Sequence, residues 1–183
     1  HSISEAWNFG IDKCSGDIVY FLNSDDCLFD DTVFSDVINI FKNYNCNVVF
    51  GNINYVNLKR KILRKWTTNI EPNKVYGFKY FRKMIKRGWM PPHPGFFILK
   101  SFLNEIGYFN SSYKISFDYD LMIRAIKQKS SKVIYLDKYI SNMLLGGTSN
   151  KLKNIKIKMI EDLEIIQSNK IGNFFSLILK NLR

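Results

Sequence analysis

The sequence predicts an α/β domain in which helices cover a sheet. Three observations lead there. Helical and strand-like segments alternate along the first half of the chain, the strands are short and mostly apolar, and the first ends abruptly in an acidic turn. A chain of 183 residues is long enough for one domain with a real hydrophobic core.

Residues 2–14 have helical spacing, with Ile3, Ala6, Trp7, Gly10, Ile11 and Cys14 recurring every three to four positions and Ser2 or Ser4 placed to cap. Ser15-Gly16-Asp17 stops that helix. Residues 18–22 are a continuous apolar run, expected to be a strand buried on both faces, and they end in Asn23-Ser24-Asp25-Asp26. A helix starts at Asp31 or Thr32 and continues through Val33, Val37, Ile38, Ile40 and Phe41. A second strand over 47–51 runs into the alternating stretch 52–56. Residues 59–65 and 79–87 are basic. The second reads as an amphipathic helix with Phe78, Phe81, Met84 and Ile85 inward. Gly88 ends it, and Met90-Pro91-Pro92-His93-Pro94-Gly95 forms a rigid loop. A strand over 96–99, a brief helix and turn over 103–109, a helix over 118–129 and a strand over 133–136 follow. Leu152, Ile155, Met159, Leu163 and Ile166 predict a terminal helix, and Ile171, Phe174, Ile178 and Leu182 predict another.

Composition narrows the function. At 46% hydrophobic and 15% aromatic, the chain is not a disordered basic tail. No apolar run approaches the roughly 18 residues of a spanning helix, and residues 1–16 lack the apolar core of a secretory signal. Three cysteines, Cys14, Cys27 and Cys46, without a Cys-x-x-Cys or Cys/His cluster argue against structural zinc and a disulfide framework, and fit a reducing compartment. The net charge of +11 points to an anionic partner. The basic residues fall in separated segments with no nucleic-acid motif, so nucleic acid is not the expected one.

Four places carry possible chemistry. Asp25 and Asp26 sit where ligands of open α/β sheets gather, and a hard divalent cation relieves repulsion between such carboxylates; taken alone, the pair also reads as a turn or helix cap. Asp118, at a helix start between Phe117 and Tyr119, suits a partly desolvated general base, with N-capping as the plain alternative. Asp120 and Arg124 are four apart, and a surface ion pair is their expected role. His93 is held between prolines, and Gly146-Gly147-Thr148-Ser149 offers backbone amides and hydroxyls to an anion without matching a P-loop.

In order and spacing these pieces resemble family 2 glycosyltransferases of the GT-A fold, closest to bacterial enzymes of O-antigen, capsule and other envelope polysaccharides. The matching segments are Ser4-Glu5-Ala6-Trp7-Asn8-Phe9-Gly10-Ile11, Ser15-Gly16-Asp17 through Asp26, Gly51-Asn52, residues 90–97, Ile106-Gly107-Tyr108-Phe109-Asn110 and Asp118-Tyr119-Asp120-Leu121-Met122-Ile123-Arg124, with 146–149 extending the likeness. The resemblance implies a Rossmann-like mixed sheet flanked by helices and sugar transfer with inversion from a nucleotide-diphospho-sugar. The implied acceptor is a saccharide or a polyprenyl-diphosphate-linked one. Asp25 is implied on the ribose or assisting the metal, Asp26 on Mg²⁺ or Mn²⁺, and Asp118 as the base. Asn8 is implied beside the nucleotide, and His93, Gly146 and Gly147, among the donor-binding positions, are implied along the acceptor or diphosphate side. Ser24 replaces the first Asp of the usual Asp-x-Asp motif, and Phe117 replaces the Glu that often precedes the base.

The resemblance also implies a strand-first opening segment that does not precede His1, so the chain is expected to be N-terminally truncated and inactive by itself. Residues 1–150 are assigned to the transferase domain and 151–183 to basic amphipathic helices. Lys79, Lys83, Lys86 and Arg87, with Lys151, Lys153, Lys156 and Lys158, suggest peripheral contact with anionic lipid at the inner face of the cell membrane, in the cytoplasm. A non-catalytic basic binding module or a truncated remnant is the alternative.

Overall fold

A computed structural model describes residues 2–146 and 152–182. Helix α1 (Ile3–Lys13) begins with a capping box: the Ser2 hydroxyl accepts the Glu5 N–H, and the Glu5 carboxylate accepts the Ser2 N–H at 2.7 Å. Numbered in chain order, the strands are β1 (Ile18–Tyr20), β2 (Cys27–Leu28), β3 (Val48–Val56), β4 (Ile62–Trp66), β5 (Val75–Tyr76), β6 (Phe96–Leu99) and β7 (Val133–Leu144). The sheet runs β1-β6-β3-β7-β2, with β4 paired to β3 and β5 to β7. Only β3 and β7 are parallel, so the sheet is mixed.

Alternation along the central strands divides the core between two faces. Val49, Phe97 and Ile134 pack with Val33, Val37 and Ile40 of α2 (Val33–Asn43). Val48, Phe50, Phe96, Ile98, Val133 and Tyr135 point the other way. They join α3 (Phe78–Lys86), α4 (Lys100–Ile106), α5 (Phe117–Lys127), α6 (Leu152–Ser168) and α7 (Phe174–Asn181). Ile165, Ile166, Ile171 and Leu177 belong to this same cluster, so the C-terminal helices share the core of the sheet.

Several expectations change. The 18–22 run yields only a three-residue strand at the end of the sheet order; Ile18 and Tyr20 are half-buried and Leu22 is exposed. The strand expected over 47–51 continues to Val56, and the one expected over 133–136 continues to Leu144, because the two pair with each other throughout. The stripes on the last two helices hold only in part: Ile166 and Ile171 are buried and Leu163 packs against the core, but other members do not. Ile155, Met159, Phe174, Ile178 and Leu182 are exposed, while Glu161, Asp162 and Ser176 are buried. The inward side of α6 must satisfy a polar loop and a lysine, so carboxylates occupy positions that periodicity assigns to apolar groups.

Candidate active site

The turn after β1 is closed by the Asp26 N–H donating to the Asn23 carbonyl at 3.1 Å. It folds Asp26 inward, where one carboxylate oxygen accepts from Asn23 Nδ2 at 2.9 Å and the other from the Leu144 N–H at 3.0 Å. Burial pushes the Asp26 carboxyl above its usual range, against the pull of those two donors. Asp25 and Ser24 stay exposed on the same turn. Gly146 lies two residues beyond Leu144, with φ +122° and open space around it, so β7 brings its exposed end to the acidic turn. Gly147, Thr148 and Ser149 lie outside the described residues.

His93 begins a 3₁₀ turn, His93–Gly95, that sits hard on the sheet. The Pro94 carbonyl accepts from the Tyr20 hydroxyl at 2.9 Å and the Ser141 hydroxyl at 2.6 Å. A Cβ on Gly95 would stand 2.7 Å from the Gly51 carbonyl oxygen, so the turn needs glycine there. The imidazole is 7% exposed, stacks 5.1 Å from Trp7, and lies within the fields of Asp26 and Asp118. Burial holds its pKa below the usual 6.5, so it is neutral at pH 7. Its Nε2 has no hydrogen-bond partner among the described residues. Trp7 also packs against Phe21, Phe109 and Phe117, which seats α1 under the site.

Asn8 serves this packing. Its Nδ2 donates to the Phe109 carbonyl and its Oδ1 accepts the Phe109 N–H, both at 2.9 Å. Both ends of the amide are therefore engaged with Phe109, and in this structure Asn8 fixes an aromatic neighbour of the site.

Asp118 lies in the first turn of α5, accepts the Tyr119 N–H at 2.7 Å, and lines a cavity of about 550 Å³. His93, Pro94, Trp66, Trp89, Met143 and Tyr119 line it too. Asp25 and Asp26 do not. The loop that presents Asp118 is gripped by Glu161 of α6, whose carboxylate accepts the N–H groups of Lys114, Ile115 and Ser116 at 2.7, 2.9 and 2.8 Å. Asp120 is buried, not superficial as expected. It pairs with Arg124 at 2.8 Å, and that guanidinium also donates to the carbonyls of Ile106, Gly107 and Tyr108.

The sequence reading missed Asp162 and Lys180 on the cavity and Glu161 behind it, placed Lys158 at a lipid surface and took Arg64 only as part of a basic stretch, whereas Arg64 and Lys158 line the cavity. The available signal was the Glu161-Asp162 pair in the middle of a helix otherwise rich in Ile and Leu.

Among the described residues, no three His, Cys, Asp or Glu side chains gather into a metal cage. The acidic turn nevertheless fits Mg²⁺ or Mn²⁺. Such ions are held by one or two carboxylates when substrate oxygens complete the shell. Asp26's two donors are neutral, and a carboxylate oxygen that accepts one hydrogen bond keeps a lone pair.

A mixed sheet ending in this acidic turn, backed by helices and opening beside Asp118, defines a glycosyltransferase fold of the GT-A type. Residues 2–107 match the profile of glycosyl transferase family 2, and the chain belongs to that family. A crystal structure of S. aureus TarS 1-349 superposes with a TM-score of 0.60 at 14% identity, over 90% of this chain and 45% of that one. The same protein fragment in complex with UDP gives 0.56 at 16% identity, over 93% and 49%. The chain thus spans about half the length of the solved structure it resembles. Among curated proteins, none matches it.

Proposed function

We propose that this chain carries out part of an inverting, metal-dependent transfer of a sugar from a nucleotide-diphospho-sugar to a saccharide or polyprenyl-diphosphate-linked acceptor, in the assembly of a bacterial envelope polysaccharide of O-antigen or capsule type. The observation that carries it is a pair of separate carboxylates, Asp26 folded inward on the acidic turn and Asp118 on a cavity that His93 also lines. One site for a leaving group beside one site for a base is what a single displacement needs.

In this reading Asp25 bonds the ribose and Asp26, assisted by Asp25, holds Mg²⁺ or Mn²⁺. The ion, when bound, offsets the charge of the departing nucleotide diphosphate. Asp118 removes the acceptor hydroxyl's proton as that oxygen attacks the anomeric carbon, and the bond from that carbon to the diphosphate oxygen breaks on the opposite side. Neutral His93 orients a sugar hydroxyl, and Asn8 acts at one remove through Phe109. Gly146 lines the diphosphate side. The UDP held by the similar TarS structure supports a nucleotide donor.

We assign the protein to the cytoplasmic face of the membrane. No helix among the described residues is long and apolar enough to cross a membrane. The exposed Lys79, Lys83, Lys86 and Arg87 on and just after α3, with Lys156 and exposed Ile160, Phe174 and Phe175 on α6 and α7, match the chemistry of an anionic interface. Liposome flotation tests this: binding to anionic vesicles and not to neutral ones supports it, and equal behaviour with both contradicts it.

For the donor side, calorimetry with UDP and GDP, each with and without Mg²⁺, compares wild type with Asp26→Ala. Metal-dependent binding that the variant loses supports the assignment; equal binding in both proteins overturns it.

A further inference from the structure

The cavity beside Asp118 is walled partly by side chains beyond the family-matched span. Lys180 of α7 sets its ammonium 2.5 Å from Asp162 and 4.0 Å from the centre of the Tyr119 ring. Lys158 of α6 reaches the same carboxylate at 3.2 Å, so two ammoniums share one acid. Gly88 explains why α7 comes so close. It has φ +78°, and its missing Cβ would stand 2.3 Å from the Lys180 backbone nitrogen. Arg64, on the exposed strand β4, adds a guanidinium stacked 5.5 Å from the Tyr55 ring and 6.0 Å from that of Trp66. Arg64, Lys158 and Lys180 all line the cavity.

His93 and Asp162 also line the cavity, and both side chains are more than nine-tenths buried; their Nε2 and Oδ1 atoms are shielded and have no partner among the described residues.

We propose that this cavity is an anion subsite that takes a phosphate group carried by the sugar acceptor. Guanidinium and ammonium groups recognise phosphate oxygens by charge-assisted hydrogen bonds. Asp162 and His93, in the wall of the same cavity, flank the sugar next to that phosphate. The subsite belongs with the acceptor because its cations share a cavity with Asp118, while Asp25 and Asp26 lie outside it. The identity of the occupant rests on the sugar-transfer reading; the binding of phosphate does not.

Trp66 and Trp89 line the cavity, so tryptophan fluorescence reports on it. The chain is titrated with inorganic phosphate and glycerol 3-phosphate in EDTA, then again with saturating UDP and Mg²⁺. A saturable change that weakens with added salt is expected, and one that persists when UDP is bound. Removing two charge-assisted contacts in Arg64→Gln/Lys158→Gln weakens phosphate about tenfold or more. Both side chains reach solvent, and circular dichroism confirms the fold; Lys180 is left intact because its loss strands buried Asp162. No saturable change, an unaltered double variant, or competitive displacement by UDP overturns the proposal, the last giving the cations to the donor diphosphate. UDP binding without phosphate binding sinks the subsite alone, and phosphate binding without UDP binding sinks the transfer reading alone. Farnesyl diphosphate as a third ligand separates the sources: tighter binding than glycerol 3-phosphate assigns a lipid diphosphate, weaker binding a phosphate within the sugar chain.

Discussion

The acidic turn and the cavity wall are built in opposite ways. The turn rests on short-range geometry: Asn23 to Asp26 closes on itself, and one backbone N–H from β7 completes it. The wall depends on distant parts of the chain, with Glu161 holding residues 114–116 and Lys180 meeting Asp162 over Gly88. The turn lies within the family-matched residues 2–107 and the C-terminal part of the wall lies beyond them. The proposed donor chemistry therefore sits on a local motif within the family-matched span, and the proposed acceptor side draws on residues beyond it.

Four changes break or sharpen that contrast. The largest effect is expected for Asp118→Asn: sugar transfer falls about a thousandfold, the scale of a general base, with nucleotide affinity unchanged. Initial rates and calorimetry on one preparation check both halves. Glu161→Ala leaves three backbone N–H groups without their carboxylate and lowers stability by about 3 kcal/mol, read by urea denaturation. Glu161→Gln keeps one acceptor oxygen and recovers part of that loss. If the wall holds Asp118 in place, transfer falls in the same order while nucleotide binding stays level.

Gly88→Ala places a methyl against the α7 backbone at a positive φ and costs about 2 kcal/mol, measured by the same denaturation. An unchanged midpoint would mean that α7 is not docked through Lys180. The smallest effect concerns His93. Its folded pKa is depressed, so as pH falls below about 6.5 the unfolded chain takes up a proton that the folded chain refuses, and stability drops. Between about pH 7.5 and pH 5.5 wild type loses about 1 kcal/mol more than His93→Phe. Because His93 and Asp26 act on each other's charge, the comparison is repeated with Asp26→Asn in both backgrounds, which leaves the imidazole's own contribution.

Legibility follows the same divide. A serine cap at Ser2 or Ser4, the acidic turn, the rigid His93 loop and Asp118 at a helix start were readable because each depends on neighbours in sequence. Strand β4 was not: Ile62-Leu63-Arg64-Lys65-Trp66 is charged and almost wholly exposed, and only its pairing with β3 makes it a strand. The length of β7 was hidden for the same reason, since its second half is fixed by its partner β3. On α6, helical periodicity pointed Ile155 and Met159 inward, but the inward positions hold Glu161 and Asp162, whose partners are about 45 and 18 residues away. Asp120 looked like a surface acid because its burial comes from Arg124 reaching back to the carbonyls after α4.

Amide chemical-shift mapping on the isotope-labelled chain tests the two-sided site most directly. With Mg²⁺ and UDP added, shifts are expected at Asn23, Asp25, Asp26 and Leu144, with Arg64, Lys158 and Lys180 silent until phosphate is added. Nucleotide shifts centred on Arg64 and Lys180, with the acidic turn unmoved, would contradict it.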